Sequence, residues 1–305
     1  MTRTLTAVLC SGALLGASAS AAWADTTVAD NGFRPNPNGF SFENYGGDSG
    51  NENLTPDEVQ KLFGPAVCAD RAGGKCTLTP PAKQWMDTWN KTMSGGHCFG
   101  FSVLAEELFK NQFPPFAPGS TFSYTIQGNL PIQHAIAYAF TYQGLASVLD
   151  KRVIGTPNDI LAKLRAVLNA SEPETYTIAI FKRDGSGGHA ITPIAVVDQG
   201  GGKFVVQAYD NNYPNETRLV TFDTNANTWS YNAAINPSVP PELYEGDAKT
   251  QSIMLYPTSP GIGVQPCEFC QGQAAATDTA AKPLNQIQLV GSDHNQVHLQ
   301  IHTCL

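Results

Sequence analysis

The sequence predicts an α+β protein in which a helical half packs on an antiparallel sheet. Five runs with helical spacing fall between residues 55 and 169. Short β-rich runs separated by Gly, Asp and Asn turns fill residues 171–256. The 28 Gly and 21 Pro supply the many turns such a fold needs. With 42% hydrophobic and 14% charged residues among 305, the chain can bury a full-sized core, which excludes disorder throughout. Acidic residues outnumber basic ones by 26 to 18, for a net charge of -8. That balance argues against neutralising phosphates along a duplex, so no nucleic acid partner is expected.

Residues 1–24 read as an export signal. Arg3 supplies a positive charge, Leu5 to Ala22 is apolar or small, and Ala22-Trp23-Ala24 is a small-x-small cleavage site. The expected mature chain begins near Asp25, has no membrane span and is secreted to the cell envelope or beyond. Residues 25–54, rich in Asn, Gly and Phe, have neither helical nor strand period and read as an extended N-terminal arm whose aromatics pack on the domain; a cleavable propeptide is the competing reading.

The main domain is expected over residues 55–256. Thr55-Pro56-Asp57-Glu58 predicts a helix start with a capping box, running to about Phe63. Pro80-Pro81 opens a second helix with Trp85, Met86 and Trp89 on one face. From Cys98, the residues Phe101, Leu104, Ala105 and Leu108 have the spacing of an amphipathic helix, ended by Pro114-Pro115. Two further helices are predicted over 131–149 and 157–169, the latter capped by Thr156. Strands are predicted over 175–182, 189–197, 204–209, 218–222 and 228–231, with 252–256 as a further candidate. Residues 257–283 read as a linker, and 284–305 as a C-terminal β tail, a hairpin of two alternating runs.

Six of the seven cysteines lie after the signal, and export permits disulfides. Cys68 and Cys76 flank the polar loop ADRAGGK, which can fold back, so they are paired first. With Cys98 set aside, Cys267, Cys270 and Cys304 remain and one of the three is left over. Cys267, Cys270, His294, His298, His302 and Cys304 are ligand types for zinc, but QVHLQIHT alternates like a strand, and the three His would share a face only on a helix. A disulfide is the preferred reading; no metal or cofactor is expected.

A thiol becomes a good nucleophile where a helix N-terminus and a nearby imidazolium favour its thiolate. Cys98 stands at such a terminus, after the Gly95-Gly96 pair that lets backbone approach a substrate carbonyl. His189 follows the turn DGSGG and opens a strand, where a general base can reach a facing helix. Asp210 ends the strand KFVVQAY, and an antiparallel neighbour can return it to His189 to orient the ring; Asn211 and Asn212 compete for that role. His134 reads as structural, and His97, beside the candidate nucleophile, as solvent-facing.

SGGHCFGFS, GGHAI and YDNN, in that order, resemble the segments around the Cys, His and Asn of papain-like cysteine peptidases. The likeness covers about residues 80–232. It implies a papain-like fold with a nucleophile helix, a cleft between helical and sheet halves, and a thiol hydrolase acting on a peptide or protein substrate through Cys98, His189 and Asp210. The sequence also departs from that pattern. His189 lies 91 residues after Cys98, against roughly 130–150 in that family. The family's oxyanion Gln, six residues before the nucleophile, is Thr92 here, leaving Asn90, Gln84 or the Gly96 backbone as oxyanion candidates. An Asp as third member is more typical of transglutaminase-like folds, so acyl transfer to an amine, cleavage of cell-wall peptides, and a non-catalytic exported binding protein stand as alternatives.

Overall fold

The computed structural model describes residues 24–112, 116, 120–169, 171–234 and 237–270. The signal segment, the later part of the expected linker, the tail hairpin and Cys304 lie outside them.

Helices form where local signals are strongest. Helix α1 is a single turn, Pro35–Asn38. In α2 (Pro56–Phe63), Thr55 and Glu58 form the expected capping box. Helix α3 is Pro80–Thr92, capped by Thr79, and α4 is Cys98–Phe109. The run predicted over 131–149 is broken into α5 (Leu130–Phe140), a 3-10 turn (Thr141–Gly144) and α6 (Ala146–Leu149). A physical reason is at Gly144, where a Cβ would lie 2.2 Å from the Trp89 ring, so the chain must turn closely over α3. Helix α7 (Pro157–Val167) carries a second capping box, Thr156 with Asp159.

Eleven strands are present among the described residues. They are β1 (Thr26–Asp30), β2 (Cys68–Asp70), β3 (Thr77–Leu78), β4 (Val153–Ile154), β5 (Tyr176–Phe181), β6 (Gly188–Gly200), β7 (Lys203–Tyr209), β8 (Thr217–Asp223), β9 (Thr228–Ala233), β10 (Glu242–Asp247) and β11 (Ile253–Pro257). Strands β2 and β3 form a separate ribbon closed by the Cys68–Cys76 disulfide, the bridge expected from the intervening loop. The others form one sheet in the order β10-β9-β8-β7-β6-β5-β11-β4, with β1 on β6. All these pairings are antiparallel. The sheet curls: Lys182, just after β5, reaches Glu242 on β10 at 2.6 Å, and Arg183 reaches Asp247 at 3.0 Å.

Side-chain alternation in β5 separates two cores. Ile178 and Ile180 join Val206, Trp229 and Tyr244 in a core covered by α7 (Ile160, Leu164). Ala179 joins the other core, built from α2–α6. Small residues there, Ala179 and Ala190, let α4 lie close to the sheet. Buried Ser102 fixes that approach, its hydroxyl 2.9 Å from Thr177 Oγ1 and 2.8 Å from Thr192 Oγ1. On its other side α4 meets α5 at Gly100, where a Cβ would fall 2.1 Å from the Ile136 carbonyl oxygen. So α4 is buried from Phe99 to Glu107, not amphipathic as its spacing suggested.

The arm differs from its sequence reading as well. It begins with β1, paired to β6 in the main sheet, and Phe33 and Phe40 are fully buried. Residues 257–270, read as the start of a linker, are packed instead: the Gln265 amide donates to the Leu62 carbonyl, and Cys267 is bonded to Cys270. Among the described residues no helix is long and apolar enough to cross a membrane.

Candidate active site

The turn before α4 is made by Gly96, whose φ of 145° is a conformation side chains rarely adopt. It sends His97 into the protein and starts α4 at Cys98, which is the free cysteine among the described residues and is half-buried. Strand β6 opens at Gly188 and carries His189; β7 ends at Tyr209 and delivers Asp210. Because β6 and β7 pair antiparallel, with Thr192 opposite Tyr209, Asp210 returns beside the start of β6. The separation in sequence is thereby closed: His189 Nε2 lies 2.8 Å from Asp210 Oδ1, both side chains fully shielded from solvent.

Asp210 is held from three sides. Oδ1 also accepts the Asn212 amide at 2.8 Å, and Oδ2 accepts the Tyr231 hydroxyl at 2.6 Å. Burial alone would raise the Asp210 carboxyl, but His189 and these donors hold it below the usual carboxylate range. Burial likewise pushes His189 down, yet the Asp210 charge and hydrogen bond, with the Cys98 thiol, outweigh it and raise the ring to about 10. The thiol is near enough to act on the ring but not in hydrogen-bond geometry, so His189 Nδ1 is buried with no hydrogen-bond partner among the described residues.

Cys98, His189, Gly95 and Gly96 line one cleft of about 200 Å3, walled by Phe99, Phe140 and Phe181. Thr92 and Gln143 are its further polar side chains. The site therefore unites Cys98 and His189 at the cleft, with Asp210 behind the histidine. Asn90 is elsewhere: its carboxamide accepts the Leu54 amide and donates to the Leu54 carbonyl, both at 3.0 Å, so both its ends are occupied by the arm. Gln84 lines a different depression, on the outer side of α3. Gly96 does line the cleft, but its N–H donates to the Met93 carbonyl at 3.0 Å. The backbone amide left to face an oxyanion is that of Cys98, at the start of α4.

Of the two asparagines that compete for the orienting role, neither bonds the histidine ring. Asn211 Nδ2 donates to the Cys98 carbonyl (3.1 Å) and the Ala190 carbonyl (2.9 Å), stapling the start of α4 to β6. Asn212 donates to the Ala234 carbonyl at 2.8 Å. Tyr231, Asn44 and Gln143 were missed from sequence: each stands in a mixed polar and aromatic stretch, such as TWSYNA for Tyr231 and TYQG for Gln143, that carries no local signal.

His97 is not solvent-facing but 1% exposed. Its amide donates to Asn44 Oδ1, its Nδ1 lies 2.7 Å from the Tyr45 carbonyl, and its Nε2 lies 2.7 Å from the Asn53 carboxamide. The residue next to Cys98 thus clasps the arm. His134 has a comparable structural place, 3.3 Å from Glu52 and 3.4 Å from Glu58. Burial pushes His97 from 6.5 down to about 4. Between those values the unfolded chain binds a proton that the folded chain rejects, so the His97 contribution to stability is intact above pH 6.5 and is lost as pH falls toward 4. The expected result is that wild type loses about 2–3 kcal/mol more than His97→Gln between pH 7 and pH 4.5, read by urea unfolding at both values.

Among the described residues no group of three or more His, Cys, Asp or Glu is arranged to hold a metal ion. No protein-family model, curated protein or solved structure matches this chain, so its function has to be argued from the geometry of this cleft.

Proposed function

We propose that the protein is an exported thiol hydrolase, a cysteine peptidase or amidase on a papain-like core, with Cys98 as nucleophile, His189 as general base and acid, and Asp210 as the residue that orients the ring. The observation that carries this reading is the state of His189. One ring nitrogen is held by Asp210, while the other is buried, unbonded and beside the free Cys98 thiol at the wall of an open cleft. A purely structural buried histidine would have both nitrogens satisfied, as His97 does. Two disulfides support an exported setting.

His189 takes the Cys98 proton, and the sulfur attacks the carbonyl carbon of a peptide or amide. The oxyanion meets the Cys98 amide at the positive end of α4. His189 returns the proton to the leaving nitrogen, the C–N bond breaks, and a thioester remains on Cys98. Water, deprotonated by His189, attacks the thioester; the carboxylic acid leaves and the thiol is restored. A peptidyl vinyl sulfone is expected to label Cys98 in the wild type and to leave Cys98→Ala unlabelled. Labelling that persists in Cys98→Ala overturns the assignment. A fluorescent amine added with a glutamine peptide separates hydrolysis from acyl transfer, since only transfer yields the fluorescent adduct.

A further inference from the structure

We propose that Tyr231 is a positioning residue that locks the Asp210 carboxylate in the orientation that holds His189. This inference rests on Cys98 and His189 acting as the reactive pair. The Tyr231 hydroxyl donates to Asp210 Oδ2 at 2.6 Å in a fully buried contact, opposite the oxygen that takes His189. Arg218, one strand away on β8, brings its charge near the same hydroxyl and Asp210. Its guanidinium stacks 4.2 Å from the Tyr213 ring centroid and pairs with Glu216 at 3.3 Å. An ionised carboxylate can only accept, so the single proton of the Tyr231 hydroxyl is directed at Asp210. The chain of contacts runs from Tyr231 through Asp210 and His189 toward Cys98.

Burial alone does not require this bond. Tyr244, directly opposite Tyr231 in the β9–β10 register, buries its own hydroxyl with no hydrogen-bond partner among the described residues. The two tyrosines therefore form an internal comparison: Tyr231 hydrogen-bonds Asp210, while Tyr244 feels the Cys98 thiol only through its charge. The titratable and charged groups bearing on Asp210 are His189, Tyr209, Tyr213, Arg218 and Tyr231; Cys98 adds its influence at His189. Removing the Tyr231 donor lets Asp210 keep a proton to higher pH, which weakens its hold on a protonated His189.

The experiment is the pH dependence of Cys98 alkylation by iodoacetamide in the full exported chain, read by peptide mass mapping so that Cys304 is resolved from Cys98. The wild type is expected to alkylate on the acid side of neutrality. Tyr231→Phe keeps the ring and should move the midpoint up by about one pH unit. Tyr244→Phe should leave it in place. A Tyr231→Phe midpoint at the wild-type value overturns the proposal. If Tyr231→Phe does not fold, Tyr231→Met, which also lacks the hydroxyl, decides: a wild-type midpoint there overturns it. A wild type that does not alkylate below neutral pH defeats the reactive-pair reading itself, and this inference with it. A reactive wild type with unshifted variants defeats this inference alone.

Discussion

Asp210→Asn is expected to slow acylation of Cys98 by a peptide substrate at pH 7 by about 10^3–10^4, the scale seen when the buried acid behind a catalytic histidine loses its charge. The side chain keeps its shape, so the loss isolates electrostatics from packing. In the folded protein, burial opposes the charged form of His189, and the Asp210 carboxylate is the first of the contributions that reverse this. With a neutral carboxamide there, burial acts unopposed and the ring falls back toward the neutral state. Each unit of that fall is about 1.4 kcal/mol withdrawn from the protonated ring. A second conflict arises at Tyr231, whose hydroxyl proton is directed at Asp210 Oδ2. A carboxamide presenting N–H2 at that position sets donor against donor. Single-turnover acylation measured on wild type and Asp210→Asn, with near-ultraviolet circular dichroism to verify the fold, gives the ratio. A loss of less than tenfold would remove Asp210 from the mechanism.

How much of this was legible in the sequence follows from how local each feature is. The starts of α2 and α7 could be read because a Thr, a Pro and an acid within four residues settle their own geometry, and both capping boxes are present. Strands β5 to β9 were legible because short β-branched and aromatic runs stand between Gly, Asp and Asn turns; β5, β6 and most of β7 are buried on both faces, so alternation is not their signal. Strand β10 was not: ELYEGD carries three acids, since it is an edge whose outward residues pair with Lys182 and Arg183. Strand β1 is a polar segment that becomes a strand only because β6 offers it a partner. The same division runs through the site. Cys98, His189 and Asp210 announce themselves by type and position. Asn90 and Gly96 were named as oxyanion candidates from proximity in sequence, and their hydrogen-bonding groups prove to be taken by Leu54 and Met93. His97, Asn211 and Tyr231 have roles set by residues 21 to 113 positions away, such as Ala190 or Cys98 for Asn211. Such contacts leave no local pattern to read.

Glu106→Gln is expected to leave stability near pH 5 unchanged and to raise it by about 3–5 kcal/mol at pH 9. Glu106 and Glu107 sit in the second half of α4, each 1% exposed. Glu106 Oε2 accepts the Thr258 hydroxyl at 3.0 Å and Glu107 Oε1 accepts the Tyr142 hydroxyl at 3.0 Å. The second oxygen of each carboxyl has no hydrogen-bond partner among the described residues. Burial raises both carboxyls from 4.5 to about 8. Between pH 4.5 and about 8 the folded chain therefore keeps protons that the unfolded chain has released, so stability falls as pH rises through that window and levels off above it. The negative end of the α4 dipole opposes the ionised forms further. A carboxamide at position 106 stays neutral throughout, and its N–H2 can meet Thr175 Oγ1, a buried hydroxyl otherwise without a partner among the described residues. The His189 contribution, present below pH 6.5 and lost as pH rises through about 10, is common to both proteins and cancels in the difference. The consequence reaches the cleft because α4 begins at Cys98: above pH 8 the wild type should lose activity by loosening of the far end of its own nucleophile helix. Guanidinium unfolding at pH 5 and pH 9, with Cys98 acylation followed in parallel, tests both halves. A Glu106→Gln protein no more stable than wild type at pH 9 would show that the carboxyl is solvated when ionised and that alkaline inactivation begins elsewhere.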